Sequence, residues 1–309
     1  MPAVVCSEKR VAMPDAFTAF VAKKTTAAVR ALPAPYLTTG DEHPTGSLRP
    51  VATPWSHAAF GGPFYVREAA GAGVPTCSLV FVQSANGNTV AKDPASLGGG
   101  ATDYHVVYEG LSRVLADAVM AGAGTVRGGA AIFSVWHPEL VELREASGLA
   151  RHPTQIVATR HGVDLDRGML FNTPELPVIL LTESAGAARM AAGLAPRPWI
   201  RAIVSTGGAD LVRAFADVRA AGIRRISCVG GRTLASDLLA LRLVDDVYLT
   251  TSARDGGEPD TPLPTAAFDG DLVVRKHGTG EDAGVTFEHF DLRTGHQRAE
   301  ASDLPPSLR

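Results

Sequence analysis

The chain has 309 residues, of which 45% are hydrophobic and 20% are charged, and its formal net charge is −3. This composition is typical of a globular protein with one large domain or two small ones. The near-neutral charge argues against nucleic acid as a partner, and no apolar run is long enough to cross a bilayer, which argues against a membrane protein.

Residues 1–73 are predicted to form an N-terminal extension that differs from the rest of the chain. The N-terminus lacks the continuous apolar core of a signal peptide, so we expect a soluble, cytoplasmic protein. Residues 15–32 carry apolar side chains at helical spacing, whereas residues 32–64 are rich in Pro, Gly and Thr. Because this region holds several aromatic side chains, we expect it to pack on the core domain or on a partner subunit.

From about residue 74, strand and helix patterns alternate. The predicted strands are TCSLVFVQ, DAVMAG, TQIVAT, PVILLT, IRAIVS, RRISCVG and VDDVYLTT, and the predicted helices are DYHVVYEGLSRVLA, GADLVRAFADVRAAG and TLASDLLAL. Strands that are apolar on both sides and separated by helices indicate an α/β domain with a mainly parallel central sheet. Residues 271–292 alternate around a Gly-containing turn and predict a C-terminal antiparallel hairpin. We place the domain at residues 74–300 and a tail at residues 301–309.

Three glycine-containing loops follow predicted strands, at residues 122–127, 207–208 and 230–233. Glycine lets a backbone approach a phosphate closely, and the free N–H groups of a helix start attract an anion. The alternative is that each loop is only a tight turn between a strand and a helix. Neither the GxGxxG pattern in a first βαβ unit nor the phosphate loop GxxxxGK[ST] is present, so the loops alone do not identify a dinucleotide site.

Three segments together resemble a known family: SLVFVQSANGNTVA, TDYHVVYEGLSRVLADAVMAGAGTVRGG and RISCVGGRTLASDLLALRLVDDVYLTTS. The family is the NADPH-dependent pyrimidine reductases of riboflavin biosynthesis, which include the C-terminal reductase domain of bifunctional deaminase-reductases. The resemblance covers residues 74–292. It implies a three-layer dihydrofolate-reductase-like fold, NADPH as the cofactor, a small-molecule substrate and a homodimer.

The resemblance also implies roles for individual residues. Those expected to line the nicotinamide and its phosphates are Gly122, Gly124, Thr125 and Val126, and those expected to hold the pyrophosphate are Gly230, Gly231, Thr233 and Leu234. Thr159 and Arg160 are expected near the adenosine 2′-phosphate, because an arginine fork suits a phosphate. A solvated surface charge is the alternative for Arg160. Ser84, Asn86 and Gly87 are expected to face the substrate.

The chain departs from the family pattern at two positions. Asn86 stands where the family has an acidic residue, and an amide cannot donate a proton as a carboxylic acid does. Val229 stands where glutamate is usual, which removes a charged acceptor.

His137 and Glu139 form an H-x-E pattern, but no C-x-x-C follows. We therefore expect Pro138 to begin a helix, and neither a metal site nor deamination.

We expect an NADPH-dependent oxidoreductase that transfers hydride to a C=N or C=O group of a small heterocyclic or ribosyl-type substrate. One alternative is a reductase of a pterin or of a secondary-metabolite intermediate, because the pocket motifs are altered. The other alternative is a non-catalytic nucleotide-binding protein that kept the fold.

Overall fold

A computed structural model of the protein describes residues 15–31, 37–44, 46–69, 73–92, 94–127, 132–205, 211–263 and 270–293. The strands are β1 Leu37–Glu42, β2 Leu48–Val51, β3 Phe64–Arg67, β4 Thr76–Gln83, β5 Ala118–Gly122, β6 Thr154–Thr159, β7 Val178–Glu183, β8 Ile200–Ser205, β9 Arg225–Cys228, β10 Asp246–Thr251, β11 Asp271–His277 and β12 Thr286–Asp291. The α-helices are α1 Ala16–Arg30, α2 Pro54–Phe60, α3 Ala123–Val126, α4 Pro138–Ala146, α5 Ser184–Leu194, α6 Leu211–Ala220 and α7 Arg232–Ala240.

The centre of the fold is a ten-stranded sheet in the order β1-β11-β12-β10-β4-β9-β5-β6-β7-β8. Every neighbouring pair from β10 to β8 is parallel. The pairs β10–β12, β11–β12 and β1–β11 are antiparallel. The predicted α/β fold, with its mainly parallel sheet and C-terminal antiparallel hairpin, is therefore confirmed.

Both faces of the sheet are covered, which explains why the parallel strands are so apolar. All five residues of β5 are buried. One hydrophobic cluster, on the face covered by α6 and α7, includes Phe215, Val218 and Leu238. The cluster on the other face includes residues of α2, α4 and α5. Strands buried on both faces must be apolar at successive positions rather than at alternate ones.

The segment predicted as a helix before β5 is a π-helix over Thr102–Leu111. Its wider turn is seen at Ser112, whose N–H donates to the carbonyl oxygen of Val107 over 3.1 Å. Val106 and Leu111 are fully buried against the sheet. The helix thus covers the face of the sheet as the spacing predicts, but with a different hydrogen-bond period.

The N-terminal extension packs on the domain at several points. In α1, the Phe20 ring meets Trp136 edge-on with 5.6 Å between ring centroids, and Lys24 Nζ lies 2.7 Å from Glu109 Oε1. β1 pairs with β11 and thereby becomes an outer strand of the central sheet, whereas β2 and β3 form a separate two-stranded ribbon. These contacts join the described parts of residues 15–67 to the domain, whereas the extension as a unit that packs on the core or on a partner subunit, and its boundary at residue 73, stay predictions.

A buried ion cluster connects β3 to the C-terminal hairpin. Arg67 Nε lies 2.9 Å from Asp246 Oδ2, and Arg67 Nη2 lies 2.5 Å from Asp291 Oδ1. All three side chains are at most 3% exposed. Burial alone would raise the pKa of Asp246, but His289 and Arg67 hold that pKa below its ordinary value. A buried carboxylate needs such partners, so the ribbon is attached by charge as well as by apolar contact.

Two predicted features lie outside the described ranges, and a third expectation concerns membrane-spanning helices. The tail at residues 301–309 and the glycine pair at residues 207–208 lie outside the described residues. Within those that are described, no helix has both the length and the apolar character needed to cross a membrane.

Candidate functional site

The carboxyl ends of four neighbouring parallel strands, in the order β4, β9, β5 and β6, meet at one edge of the sheet. Ligands bind at this edge of open parallel sheets, because the loops there lead into helix N-termini. We call it the carboxyl rim and define it as residues 84–88, 122–127, 159–162 and 229–234. The structure thus brings every predicted site residue to adjacent loops of one edge.

The two predicted cofactor loops touch each other at the centre of the rim. The N–H of Gly122 donates to the carbonyl oxygen of Gly230 over 3.0 Å. A Cβ atom on Gly231 would lie 3.5 Å from the Cα atom of Gly122. Gly230 and Gly231 also have φ angles of +149° and +87°, which L-residues rarely adopt. Glycine at these positions therefore permits both the turn and the contact between the loops.

The rim leaves part of these two loops open to solvent. Gly124 is exposed, and a Cβ atom there would meet nothing within 4 Å. Thr233 is exposed and Leu234 is half-buried, both in the first turn of α7, where helical geometry leaves N–H groups without intrahelical partners. Thr125 is half-buried, and Val126 is buried in the hydrophobic core. Gly124 and Thr233 are therefore accessible to solvent.

The loop after β6 reaches the helix that follows the second glycine loop. Thr159 Oγ1 donates to the carbonyl oxygen of Gly162 over 3.0 Å, which closes the turn. Arg160 Nη2 lies 3.2 Å from Asp237 Oδ2 of α7, and both side chains are largely exposed. An exposed ion pair is easily exchanged for another partner, so this guanidinium is available to a phosphate.

Three arginines lie beside the glycine loops. Arg127, Arg160 and Arg232 all lie at the rim, where Asp237 is a nearby acid. Arg232 begins α7, and its Nε donates to the carbonyl oxygen of Pro262 over 2.9 Å. Arg232 is not among the residues predicted from the sequence, although its place directly after the glycine pair was a usable signal.

The predicted substrate loop, residues 84–88, is a tight turn with a buried centre. Ser84 is completely buried, and its Oγ lies 2.5 Å from Asn86 Oδ1 and accepts the N–H of Asn88 over 3.1 Å. Asn86 is exposed and Gly87, with a φ angle of +84°, lies beside it at the surface. Ser84 is therefore used within the loop, whereas Asn86 and Gly87 are accessible. Their contact with a substrate stays a prediction.

The loop after β10, residues 252–263, lies against the substrate loop. Its Gly256 carbonyl accepts the Asn88 Nδ2 group over 2.9 Å, and its Thr261 N–H donates to Asn88 Oδ1 over 3.2 Å. The N–H of Ala85 donates to the carbonyl oxygen of Arg254 over 2.8 Å. Together with the Arg232 contact, these bonds connect the substrate loop to the second glycine loop.

Val229 and the H-x-E segment at residues 137–139 have clear structural positions. Val229 is 6% exposed and packs in the hydrophobic core, so it presents no polar group to the rim. His137 stacks on Trp55 with 3.6 Å between ring centroids, and Glu139 Oε2 accepts the N–H of Trp55. Pro138 is the first residue of α4, as predicted. Burial lowers the pKa of His137 against the opposing effect of Glu139.

The described ranges hold no cluster of metal-ligating side chains. No three His, Cys, Asp or Glu side chains are grouped there in a way that would hold a metal ion. Cys77 and Cys228 are buried on adjacent strands with free thiols, and burial raises the pKa of both. Buried thiols of this kind behave as small apolar side chains.

Comparison with known proteins shows which family the chain resembles and which solved structures share its fold. Residues 75–266, more than half of the chain, match the family model described as the RibD C-terminal domain. A pyrimidine reductase-like protein from Corynebacterium diphtheriae has a similar structure with a TM-score of 0.58 and 22% identity, over 71% of this chain and 92% of its own. The riboflavin biosynthesis reductase of Saccharomyces cerevisiae gives 0.50 and 15%, over 73% of this chain and 93% of its own.

A third similar structure belongs to a longer chain. It is the diaminohydroxyphosphoribosylaminopyrimidine deaminase/reductase of Thermotoga maritima, with a TM-score of 0.49 and 15% identity over 71% of this chain and 57% of its own. At their identities the first two likenesses establish the fold alone. No curated protein sequence matches the chain.

Proposed function

The chain belongs to the RibD C-terminal domain family, and on that basis we propose that it is an NADPH-dependent reductase of the pyrimidine reductase type. It transfers hydride to a C=N or C=O group of a small heterocyclic or ribosyl-type substrate. The observation that carries the proposal is the direct contact of the two glycine loops, Gly122 with Gly230 and Gly231, at the carboxyl rim. A dinucleotide needs such a glycine-lined edge to lie close to the backbone.

The residues at the rim fit NADPH by position and chemistry. The exposed backbone at Gly124 provides space for the nicotinamide end, and the first turn of α7 offers N–H groups to the pyrophosphate. Arg160 provides a fork for the adenosine 2′-phosphate, in exchange for its exposed pair with Asp237. This arginine is the reason for proposing NADPH rather than NADH.

NADPH supplies the hydride, and the protein's own residues position the substrate against it and exclude water. The linked loops at residues 84–88 and 252–263 form the substrate side of the site. Holding donor and acceptor in line accounts for much of the rate gain available to such an enzyme. Asn86 holds the substrate but does not protonate it, since its amide is not an acid. The proton comes from solvent or from a side chain not yet identified.

The assembly and location are part of the same proposal. We propose a cytoplasmic homodimer. The support for location is membership of a family of biosynthetic reductases, and that for assembly is the resemblance to dimeric reductases. Size-exclusion chromatography with light scattering measures the mass directly, and a monomer at micromolar concentration contradicts the dimer.

The function is tested by binding and turnover measured separately. NADPH binding is followed by the fluorescence of the dihydronicotinamide, and turnover by the loss of its absorbance with a pyrimidine, a pterin or an imine as acceptor. We expect binding and oxidation with a pyrimidine. Oxidation with the pterin alone supports the alternative substrate, and tight binding without turnover on any acceptor supports the non-catalytic alternative. A protein that does not bind NADPH contradicts the proposal.

A further inference from the structure

A carboxyl group that the proposed reaction does not use lies beside the carboxyl rim. Asp103 is in the first turn of the π-helix Thr102–Leu111 and is half-buried. The hydroxyl group of Thr250, a residue that is 1% exposed, donates to Asp103 Oδ1 over 2.6 Å. A Cβ atom on Gly99 would lie 2.5 Å from Asp103 Oδ2, so the carboxyl group packs directly against this glycine. The two contacts hold the carboxyl group in one place.

Asp103 lies at the end of the sheet from which the substrate loop departs. Thr250 is paired in register with Val82 of β4, and the substrate loop begins two residues later, at residue 84. Val80 belongs to the hydrophobic cluster on the face that the π-helix covers, and alternate residues of a strand share a face. Val82 therefore lies on that face as well. Val80 is buried but Val82 is only half-buried, so the face opens to solvent at the level of Asp103.

The two glycine loops lie on the same face as this carboxyl group. Val126 in α3 and Val229 before the second glycine loop belong to the same hydrophobic cluster as Val80. The strands β10, β4 and β9 are consecutive in the sheet. Because neighbouring strands lie about 4.8 Å apart, Asp103 at β10 and the glycine loop after β9 are separated by roughly 10 Å along the rim. This separation suits a substrate whose reacting group lies between the carboxyl group and the cofactor.

The other charged and titratable side chains near Asp103 come from three elements. Tyr104 and His105 follow it on the π-helix, with 4.7 Å between their ring centroids. Lys24 of α1 donates to Tyr104 Oη over 2.7 Å. Arg254 of the loop after β10 reaches the segment before the π-helix. A pH dependence that belongs to Asp103 must therefore be separated from that of these groups by substitution.

We propose that Asp103 is the catalytic acid, whose carboxyl group gives a proton to the nitrogen or oxygen atom of the C=N or C=O group that is reduced. The proposal rests on the proposed function and names the proton donor that it lacks. Hydride from NADPH forms the new C–H bond, the π electrons pass to the nitrogen or oxygen atom, and that atom takes the proton from Asp103. Solvent then returns a proton to the carboxylate. Asn86 and Val229 replace the acids that the family has at those positions, and an acid on a different element takes over their chemistry.

Asp103→Asn tests the proposal, because it removes the acid but keeps a side chain of the same shape that can still accept from Thr250. The probe is 5-amino-6-(5-phosphoribosylamino)uracil, for which the Thermotoga maritima reductase is named. We expect kcat to fall about 100-fold or more, since a positioned general acid contributes about 10²- to 10⁴-fold. The wild-type kcat should decrease as pH rises, because an ionised carboxylate has no proton to donate, and the variant should lack this decrease. Glu142→Gln, which removes an exposed acid on α4, is the matched control and should keep the wild-type values.

A second measurement does not depend on turnover. Binding of the probe to the NADP⁺ complex, which has no hydride to give, is measured by calorimetry in two buffers of different ionisation enthalpy. Above neutral pH the wild type should take up a proton as the probe binds, because the substrate atom meets a protonated acid, and Asp103→Asn should take up none. NADPH affinity and melting temperature show whether the variant is intact. If it is not, Asp103→Ser, which keeps a residue favoured at helix starts, is measured in its place.

The results separate an acid from a structural residue. An intact variant that is as active as the wild type overturns the proposal, and so does a slower variant that keeps the wild-type pH dependence. Equal proton uptake by the two proteins, or none by the wild type, has the same meaning. A wild type that binds NADPH but neither binds nor reduces the probe also overturns the proposal. Failure of the wild type to bind NADPH defeats the proposed function instead.

Discussion

Replacement of Gly124 by alanine separates the demands of the fold from those of a cofactor. A Cβ atom at this position meets no atom within 4 Å, and the backbone of α3 is helical there. In a helix, alanine is more favourable than glycine by about 0.5–1 kcal/mol. The free energy of unfolding of the variant is therefore expected to stay the same or to rise by at most about 1 kcal/mol.

The same methyl group has the opposite effect on a bound cofactor. If NADPH lies against Gly124, the added carbon occupies space that the cofactor needs. Overpacking of one or two carbons costs about 1–3 kcal/mol, which corresponds to an increase in Kd of about 5- to 150-fold. Urea unfolding measures the first quantity, and titration of dihydronicotinamide fluorescence measures the second.

Gly46 provides a matched control for this experiment. A Cβ atom on Gly46 also meets nothing within 4 Å, and this glycine lies in the turn before β2, outside the carboxyl rim. Gly46→Ala should change neither stability nor NADPH affinity. If Gly124→Ala binds NADPH as tightly as the wild type, the cofactor does not lie against α3, and the assignment of that loop is refuted. If the variant unfolds more easily, the argument from open space is wrong.

Three further predictions concern charge. Arg160→Gln should raise the Kd for NADPH about tenfold and leave that for NADH unchanged, because only NADPH carries the 2′-phosphate; fluorescence titration with both cofactors measures this. Arg67→Met leaves two carboxylates buried without their cation and should lower the free energy of unfolding by about 3–5 kcal/mol in urea. Burial and the nearby positive charges of Arg151 and Arg144 lower the pKa of His152 to about 4, so the unfolded chain binds its proton more readily, and stability should fall as pH decreases from about 6.5 towards 4.

Each of these predictions has a control and a contrary result. Equal losses of NADPH and NADH affinity in Arg160→Gln would contradict the assignment of the 2′-phosphate site to this loop. Arg167→Met breaks an exposed pair with Asp164 and should cost less than about 0.5 kcal/mol; an equally small cost at Arg67 would contradict the role of the buried cluster. Between about pH 6.5 and 5 the free energy of unfolding of the wild type should fall by about 1 kcal/mol more than that of His152→Asn, after allowance for partial solvent screening. Parallel pH curves for the two proteins would contradict the assignment to His152.

The strands of the domain were predictable because their signal is local. TCSLVFVQ and TQIVAT coincide with β4 and β6 at both ends, since each is an apolar run bounded by polar residues. The contact between the two glycine loops was not predictable from these runs, because it depends on β9 lying beside both β4 and β5. It was expected only through the family resemblance. Periodicity reports which faces are buried, not which strands are neighbours.

The contacts missed by sequence reasoning are those between distant parts of the chain. Arg67 and Asp246 are 179 residues apart, and nothing in either local sequence indicates the other. Residues 252–263 have the composition of a plain turn, yet their backbone groups orient Asn86 and Asn88. Almost every residue carries a backbone donor and acceptor whatever its type. Contacts made by backbone groups therefore cannot be predicted from the sequence before the fold is known.

The position of β1 has a consequence for how this protein is divided into fragments. The stretch that matches the family model stops at residue 266, before β11 and β12, and begins after β1 and β3. A recombinant piece cut at those limits would end its sheet at β10, with an open edge ready to associate with other chains and with Asp246 stripped of its arginine. For transplanting or fusing this module, the smallest transferable unit therefore includes β1 to β3 and β11 to β12, because β1 pairs with β11 and Arg67 pairs with Asp291.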